Sequence, residues 1–132
     1  MTTDEALYAA GLSREAVSSN VDEVIFATVE RAMLELCDDP PTPALMYEAD
    51  ATMQGLTGLR PDLVGRLLHL CTSVKAKRLF LALGERHQHK WLQRVDMTDV
   101  DLGSGKRVLV PGGRMDAKYQ ITLPADLGEQ LG

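Results

Sequence analysis

The sequence predicts an α+β fold in which a helical body of about four helices packs with a small antiparallel sheet near the C-terminus. Between residues 28 and 87, apolar side chains recur at steps of three and four, which is the period of helices with one buried face. After residue 100 the period changes, and short β-prone runs alternate with glycine and proline. The 132 residues, of which 45% are apolar, suffice for one compact domain over 22–132, with 1–21 as an N-terminal extension.

Local start and stop signals predict the first two helices. Thr28 is a candidate N-cap, and the prolines of DDPP at 38–41 end the helix that follows. Thr42 and Pro43 form the next N-cap and first-turn pair, and Gly55 ends that helix. The predicted apolar faces are Val29, Ala32, Met33, Leu36 and Cys37 in the first helix and Leu45, Ala49, Met53 and Leu56 in the second.

Two further helices follow, and the second of them is rich in basic residues. Pro61 opens one helix, and the other runs from Val74 to His87. Helical spacing places Lys75, Arg78 and Arg86 on one row, which predicts a basic stripe opposite the core. The predicted core residues of the fourth helix, and the packing residues after its end, are Ala76, Leu79, Phe80, Leu83, Trp91 and Leu92.

Shorter signals lie at both ends of the chain. The capping-box spacing of Thr2 and Glu5 predicts a short helix over 4–10, and the apolar run 24–26 is a candidate strand. Near the C-terminus, 107–110 and 119–123 are β-prone runs bounded by glycine or proline. We expect these two runs to be the strands of the small sheet.

The stretch DLGSGKRVLVPGG at 101–113 has glycines followed directly by two cations, as phosphate-binding loops do. A P-loop requires GxxxxGK[ST], but here Val100 stands at the first glycine and Arg107 follows the lysine. A dinucleotide-binding GxGxxG fails at Val108, and a strand rather than a helix is predicted next. The stretch therefore predicts a turn over 103–105, with glycines for positive φ, that also presents Lys106 and Arg107 to a partner's phosphates or carboxylates.

The charge is divided unevenly along the chain. The net charge is −5, yet residues 74–118 hold 10 basic and 5 acidic residues. Such asymmetry indicates an anionic partner or a neighbouring acidic surface, and it is equally compatible with a solvated basic face. The candidate residues for binding nucleic acid or another partner are Lys75, Lys77, Arg78, Arg86, Lys106, Arg107, Arg114 and Lys118.

Catalytic and metal-binding signals are weak, so we predict no enzyme activity, no cofactor and no metal. The sequence contains neither GxSxG nor HExxH. His87 and His89 are two residues apart, which points them to different sides of a helix. The carboxylates at 96, 99 and 101 are typical of a solvated acidic edge, although a cleft joining Asp96, Asp101 and His87 would indicate an enzyme.

The cysteines and the hydropathy pattern bear on the compartment. Cys37 and Cys71 lie in apolar helical patterns without metal-ligand spacing, so we expect buried reduced thiols. No run of 18 apolar residues occurs, and the N-terminus is acidic rather than basic and apolar. We therefore predict a cytoplasmic protein that does not span a membrane.

Four stretches together resemble a known family. They are ERAMLEL at 30–36, KAKRLFLALGERH at 75–87, DLGSGKRVLV at 101–110 and GGRMDAKYQITLP at 112–124. Together they are similar to the C-terminal domain of AbiEi-type antitoxins from bacterial type IV toxin–antitoxin systems, over roughly 22–124. The last two stretches are the most specific part of the resemblance.

The resemblance implies a protein that counteracts a nucleotidyltransferase-like toxin and represses its own operon. Family members usually carry an N-terminal winged helix that binds DNA, and residues 1–21 are too few to form one. Either this sequence is a fragment of a longer chain or the protein has lost autonomous operator binding, so we expect a regulatory domain that assists rather than directs operator binding, with direct toxin contact left open. The alternative is a generic nucleic-acid-binding accessory module that uses a basic surface.

Overall fold

The computed structural model describes residues 28–127, which form four α-helices, one 3₁₀ helix and a two-stranded sheet. The helices are α1 (Val29–Asp38), α2 (Pro43–Gln54), α3 (Pro61–Leu70), α4 (Val74–Arg86) and the 3₁₀ helix (Lys90–Arg94), and the strands are β1 (Arg114–Met115) and β2 (Thr122–Leu123). The predicted α+β class is confirmed. The predicted helix over 4–10 and strand over 24–26 lie outside the described residues.

The helices begin where side chains accept the first free backbone N–H groups. Thr28 Oγ1 accepts the Arg31 N–H at 3.3 Å, and Thr42 Oγ1 accepts the Leu45 N–H at 3.1 Å. Both predicted N-caps are therefore confirmed, as is the opening of α3 at Pro61. Within residues 28–127, no helix has the length and apolar character needed to cross a membrane.

Helix α4 is the centre of the helical body. It packs against α1, α2 and the 3₁₀ helix, and its residues 76–84 are all buried. This differs from the predicted helix with one core face and one solvated basic face. A helix that is buried all round must satisfy every polar side chain it carries inside the protein. Lys77 and Arg78, the two cations within 76–84, therefore lie inside the fold rather than on a solvated face.

The last helical turn of α4 packs against the 3₁₀ helix through Trp91. A Cβ added at Gly84 would lie 3.1 Å from Trp91 Cη2, so the indole fits closely because this position has no side chain. The ring centroids of Phe80 and Trp91 are 5.8 Å apart, and the indole Nε1 donates to the Leu56 carbonyl at 2.8 Å. The predicted packing role of Trp91 is confirmed.

The sheet is antiparallel, as predicted, but it pairs different segments. Arg114 lies opposite Leu123, and Met115 lies opposite Thr122. The predicted strand 119–123 is thus confirmed at its last two residues. The prediction that 107–110 is its partner strand is wrong, because Arg107 forms only an isolated parallel bridge with Ile121.

Thr122 explains why 107–110 is not a strand. Its Oγ1 accepts the N–H groups of Leu109 at 2.7 Å and Val110 at 2.8 Å, while its own N–H donates to the Arg107 carbonyl at 3.1 Å. One hydroxyl therefore takes the hydrogen bonds that a strand ladder would otherwise make. The segment is held against β2 in an irregular conformation.

Glu30 anchors the start of α3 to α1. It is 1% exposed, and its carboxylate accepts the Arg60 backbone N–H at 2.8 Å, Nε at 3.1 Å and Nη2 at 3.0 Å. Burial by itself raises the pKa of this carboxyl, but the hydrogen bonds from the side chain and backbone of Arg60 outweigh it and leave the pKa below its usual value.

We expect this carboxylate to contribute stability that acid removes. A folded-state pKa below the unfolded value of about 4.3 stabilises the fold above that value, and the contribution disappears as the pH falls through the folded-state pKa. Urea unfolding of Glu30→Gln between pH 7 and pH 3 should therefore show a flatter loss of stability than the wild type. Glu48→Gln, at an exposed position, is the control, and equal slopes for Glu30→Gln and wild type would contradict the prediction.

Candidate functional site

The turn at 103–105 has the backbone geometry that its glycines predict. Gly103 and Gly105 have φ values of 68° and 78°, which are strained for residues with a Cβ. Asp101 Oδ1 accepts the Gly103 N–H at 2.8 Å and so starts the turn. The predicted role of these glycines is confirmed. No helix follows Lys106 in the stretch up to residue 127, which agrees with the exclusion of a P-loop.

Arg78 docks this turn onto α4. Its side chain is buried, and the guanidinium donates from Nε to the Leu102 carbonyl at 2.7 Å and from Nη1 to the Gly105 carbonyl at 2.6 Å. Two charge-assisted hydrogen bonds from one planar group fix both the position and the orientation of the turn. The glycine turn therefore covers the face of α4 that the sequence predicts to be solvated.

The predicted basic stripe of Lys75, Arg78 and Arg86 is therefore not a solvated face, because Arg78 is only 4% exposed and Lys75 is half-buried, although Arg86 is exposed. Lys77, which lies beside the stripe, is 3% exposed. Lys75 Nζ donates a short hydrogen bond to the Asp39 carbonyl just after the end of α1. The physical reason is tertiary: α1 and the 101–107 segment cover the side of α4 that helical spacing alone leaves open to water.

Arg86, the remaining member of the stripe, is held in an ion pair. Asp50 is 1% exposed and accepts Arg86 Nε at 2.8 Å and Nη2 at 3.2 Å. His87 Nε2 lies 2.8 Å from the same carboxylate. Three nitrogen atoms from two side chains, Arg86 and His87, thus contact the buried Asp50 carboxylate and join α2 to the end of α4. Sequence reasoning missed Asp50, since a single acid on a helix carries no signal of its partners.

The other four predicted cations are exposed. Lys106 and Arg107 follow the turn, Arg114 lies in β1, and Lys118 lies in the connection between the strands. The side chains of Lys106, Arg107 and Arg114 make no hydrogen bond or ion pair with other residues in the 28–127 region. Cations of this kind keep their charge available to a partner.

Lys118 is part of a small polar group at the edge of α4. Its Nζ lies 3.1 Å from Glu85 Oε2, and both side chains are largely exposed, so the pair adds little stability. Tyr119 is buried, and its hydroxyl donates to the same carboxylate at 3.4 Å. The hydrogen bond to Glu85 raises the pKa of Lys118, which therefore stays charged at neutral pH.

Two cavities meet at Lys118 and Tyr119. The smaller, of about 260 Å³, lies between α4 and the glycine turn. The larger, of about 650 Å³, lies between α4 and the 3₁₀ helix. Leu102, Lys118 and Tyr119 line both, so the two cavities are neighbours that share these three residues.

The residues of the enzyme alternative do not come together. His87 binds Asp50, Asp101 caps the glycine turn, and Asp96 lines a separate cleft beside α3. Among the described residues, no group of three or more His, Cys, Asp and Glu side chains is placed to hold a metal ion. Asp96 is exposed, and hydrogen bonds from Thr98 lower its pKa.

The two cysteines are free and buried, as predicted. Burial raises the pKa of the Cys37 thiol well above its usual value, and burial also raises that of Cys71. Both are therefore protonated at neutral pH and act as small apolar core residues.

The decisive comparison is with protein families. A profile of the AbiEi antitoxin, described as a transcriptional regulator and antitoxin of type IV toxin–antitoxin systems, matches residues 2–124. The chain belongs to the AbiEi antitoxin family. It is therefore a type IV antitoxin and transcriptional regulator by family. No curated protein and no solved structure gives a significant match to it.

The four stretches that resemble AbiEi antitoxins lie together in space. The stretch 30–36 belongs to α1, which packs against α4, the stretch 75–87. The stretch 101–110 is docked on α4 by Arg78, and 112–124 contains both strands and Thr122. The AbiEi resemblance therefore describes one structural unit, in which α4 carries the C-terminal segment.

Removing the charge of Arg78 should release the turn. Arg78→Met retains an apolar stem but loses two hydrogen bonds from a charged donor, so we expect about 2–4 kcal/mol of destabilisation. Amide hydrogen exchange at Gly103 and Arg107 should rise by more than the global loss of stability explains. Arg94→Met, at an exposed position, is the control, and protection of the turn unchanged in Arg78→Met would refute this role.

Proposed function

We propose that this AbiEi antitoxin counteracts a nucleotidyltransferase-like toxin in the cytoplasm and assists the autoregulation of its operon. The toxin class comes from the resemblance of the four stretches, and the family match over residues 2–124 is the observation that carries the proposal. The chain acts by binding rather than by catalysis, and it needs neither a cofactor nor a metal. Its partner surface is the C-terminal segment that Arg78 docks on α4.

The exposed cations of that segment are the contact residues we propose. They are Lys106, Arg107, Arg114 and Lys118. Lysine and arginine side chains bind phosphates or carboxylates without contacting base edges. They therefore supply affinity and the orientation of the partner rather than sequence recognition. Sequence-specific operator binding then depends on another DNA-binding element.

A second candidate function is a nucleic-acid-binding accessory module. The observation that favours it is the exposure of Lys106 and Arg107 side by side, with no ion pair to another residue in 28–127. Such a module would bind duplex DNA or structured RNA through its basic residues, with no toxin involved. The two functions are separated by whether the chain rescues growth or only binds nucleic acid.

Growth rescue tests the antitoxin function. Co-expression with the nucleotidyltransferase-like toxin of the same operon should restore growth, and the double variant Lys106→Gln, Arg107→Gln should weaken the rescue because it removes two exposed cations. Lys90→Gln with Arg94→Gln makes the same change of charge at two exposed positions of the 3₁₀ helix and should rescue normally. The absence of rescue by the wild-type chain, at confirmed expression of both proteins, would overturn the proposal.

Salt-dependent binding tests the contact residues on nucleic acid. For a duplex DNA carrying the operon promoter, the double variant Lys106→Gln, Arg107→Gln should bind more weakly, and the slope of log affinity against log salt should fall by about 2, one for each lost phosphate contact. The variant with Lys90→Gln and Arg94→Gln should keep the wild-type slope. Equal slopes for both double variants and the wild type would exclude Lys106 and Arg107 as phosphate contacts.

A further inference from the structure

The smaller cavity is lined by a hydrogen-bond donor of Arg78 that the described part of the chain leaves unused. Arg78 donates from Nε and Nη1 to the turn, while its Nη2 has no hydrogen-bond partner among residues 28–127. The buried side-chain atoms without a partner in that range all belong to Arg31, so Arg78 Nη2 retains contact with solvent. The cavity wall at Arg78 is therefore cationic, although the residue is 4% exposed.

The glycine turn adds backbone donors to the same cavity. Gly103, Ser104 and Gly105 line it, and the N–H groups of Ser104 and Gly105 make no hydrogen bond with the other described residues. Positive φ at both glycines, on either side of Ser104, is typical of backbone nests that bind anions. A small anion thus meets backbone N–H groups as well as a guanidinium.

The charges around the smaller cavity are mostly positive. Lys118 lines it, and the Arg107 Nη2 lies 3.5 Å from the position that a Cβ on Gly103 would occupy. The acids of the adjoining segments are engaged, because Asp101 accepts the Gly103 N–H, Asp116 accepts the Tyr119 N–H, and Glu85 accepts Lys118 and Tyr119. Within 28–127, Arg78 and Lys118 line the smaller cavity and no carboxylate does, which favours an anionic ligand.

The larger cavity has both apolar and polar lining residues, and the polar ones include Glu85, His89 and Lys90. Its apolar lining consists of Leu81, Leu92, Met97, Leu102 and the ring of Tyr119. Gln88 and Gln93 lie in the same lining, and each amide provides both donors and an acceptor. A volume of about 650 Å³ is within the range of small-molecule sites.

A left-handed backbone conformation occurs beside both cavities. Gln88 lines the larger one with a φ of 55°, and Gln120 lines the smaller one with a φ of 54°. Gln88 directly follows the His87 C-cap of α4, and helices commonly end in this left-handed conformation, whereas Gln120 lies in the connection between the strands. The Gln120 carbonyl also accepts the Arg107 N–H at 2.9 Å, so the strained residue helps to hold the turn.

We propose that the two neighbouring cavities together bind one nucleotide unit. Its phosphate lies in the smaller cavity against Arg78, Lys118 and the glycine turn. The nucleoside lies in the larger cavity, where apolar side chains contact the base and the glutamine amides meet its polar edge. Lys118 and Tyr119 stand where phosphate and nucleoside join, since both cavities include them. The unit is either a free nucleoside monophosphate or the phosphorylated end of an RNA strand, and this site does not require the toxin to be a nucleotidyltransferase.

Titrations followed by amide NMR of the full chain test this site. The probes are the four nucleoside 5′-monophosphates, inorganic phosphate and adenosine. At least one monophosphate should bind more tightly than phosphate or adenosine alone, by about tenfold or more, because both cavities are then filled. Chemical-shift changes should centre on Ser104, Gly105, Lys118, Tyr119 and Gln88, and no change with any monophosphate at millimolar concentration would overturn the proposal.

Two variants separate a site from general charge attraction. Lys118→Met should reduce nucleotide affinity about tenfold, because it removes a charged donor to the phosphate. Arg94→Met is the control, since Arg94 is also exposed but lines neither cavity, and its effect should be less than about twofold. Both positions are on the surface, so the fold should survive. Equal losses for the two variants would refute the site.

The source of the nucleotide is distinguished by a short RNA. A five-nucleotide RNA with a 5′-phosphate that binds more tightly than the free monophosphate indicates a strand end, whereas equal affinities indicate a free nucleotide. The same RNA with a 5′-hydroxyl should bind much more weakly in either case. Identical binding of the phosphorylated and hydroxyl forms would contradict the phosphate site.

Discussion

The buried guanidinium of Arg78 is the interaction on which the C-terminal half of this AbiEi antitoxin depends. It joins α4 to the carbonyls of Leu102 and Gly105 and so determines where the chain runs after residue 100. A planar donor that bonds two carbonyls specifies direction as well as distance, which a lysine could not do. The position of the glycine turn before Lys106 and Arg107, and the smaller cavity that this turn lines, follow from this contact.

Cations in this chain divide into two classes that the sequence does not separate. Arg78 and Arg86 serve the fold through hydrogen bonds to carbonyls and to Asp50. Arg31 is a different case, because it is 2% exposed, its guanidinium has no hydrogen-bond partner among the described residues, and burial lowers its pKa. A buried charge without hydrogen bonds opposes folding, so the surrounding core must outweigh its cost.

The exposed cations are the contact residues that we propose for a partner. The C-terminal segment presents them from a scaffold held by Thr122 and Arg78. Rigid support reduces the entropy that such a segment loses on binding. The two cavities beside Lys118 and Tyr119 lie on the same scaffold. A nucleotide bound there and a partner bound at Lys106 would therefore occupy neighbouring parts of one surface.

The sequence alone determined the α+β class, the N-caps Thr28 and Thr42 and the glycine turn, because each depends on contacts within a few residues. It also identified the family through four separated stretches. Tertiary structure decided which cations are free, that β1 rather than 107–110 pairs with β2, and that Asp50 meets Arg86 and His87. These outcomes depend on segments that are distant in the chain, whose approach no local pattern records.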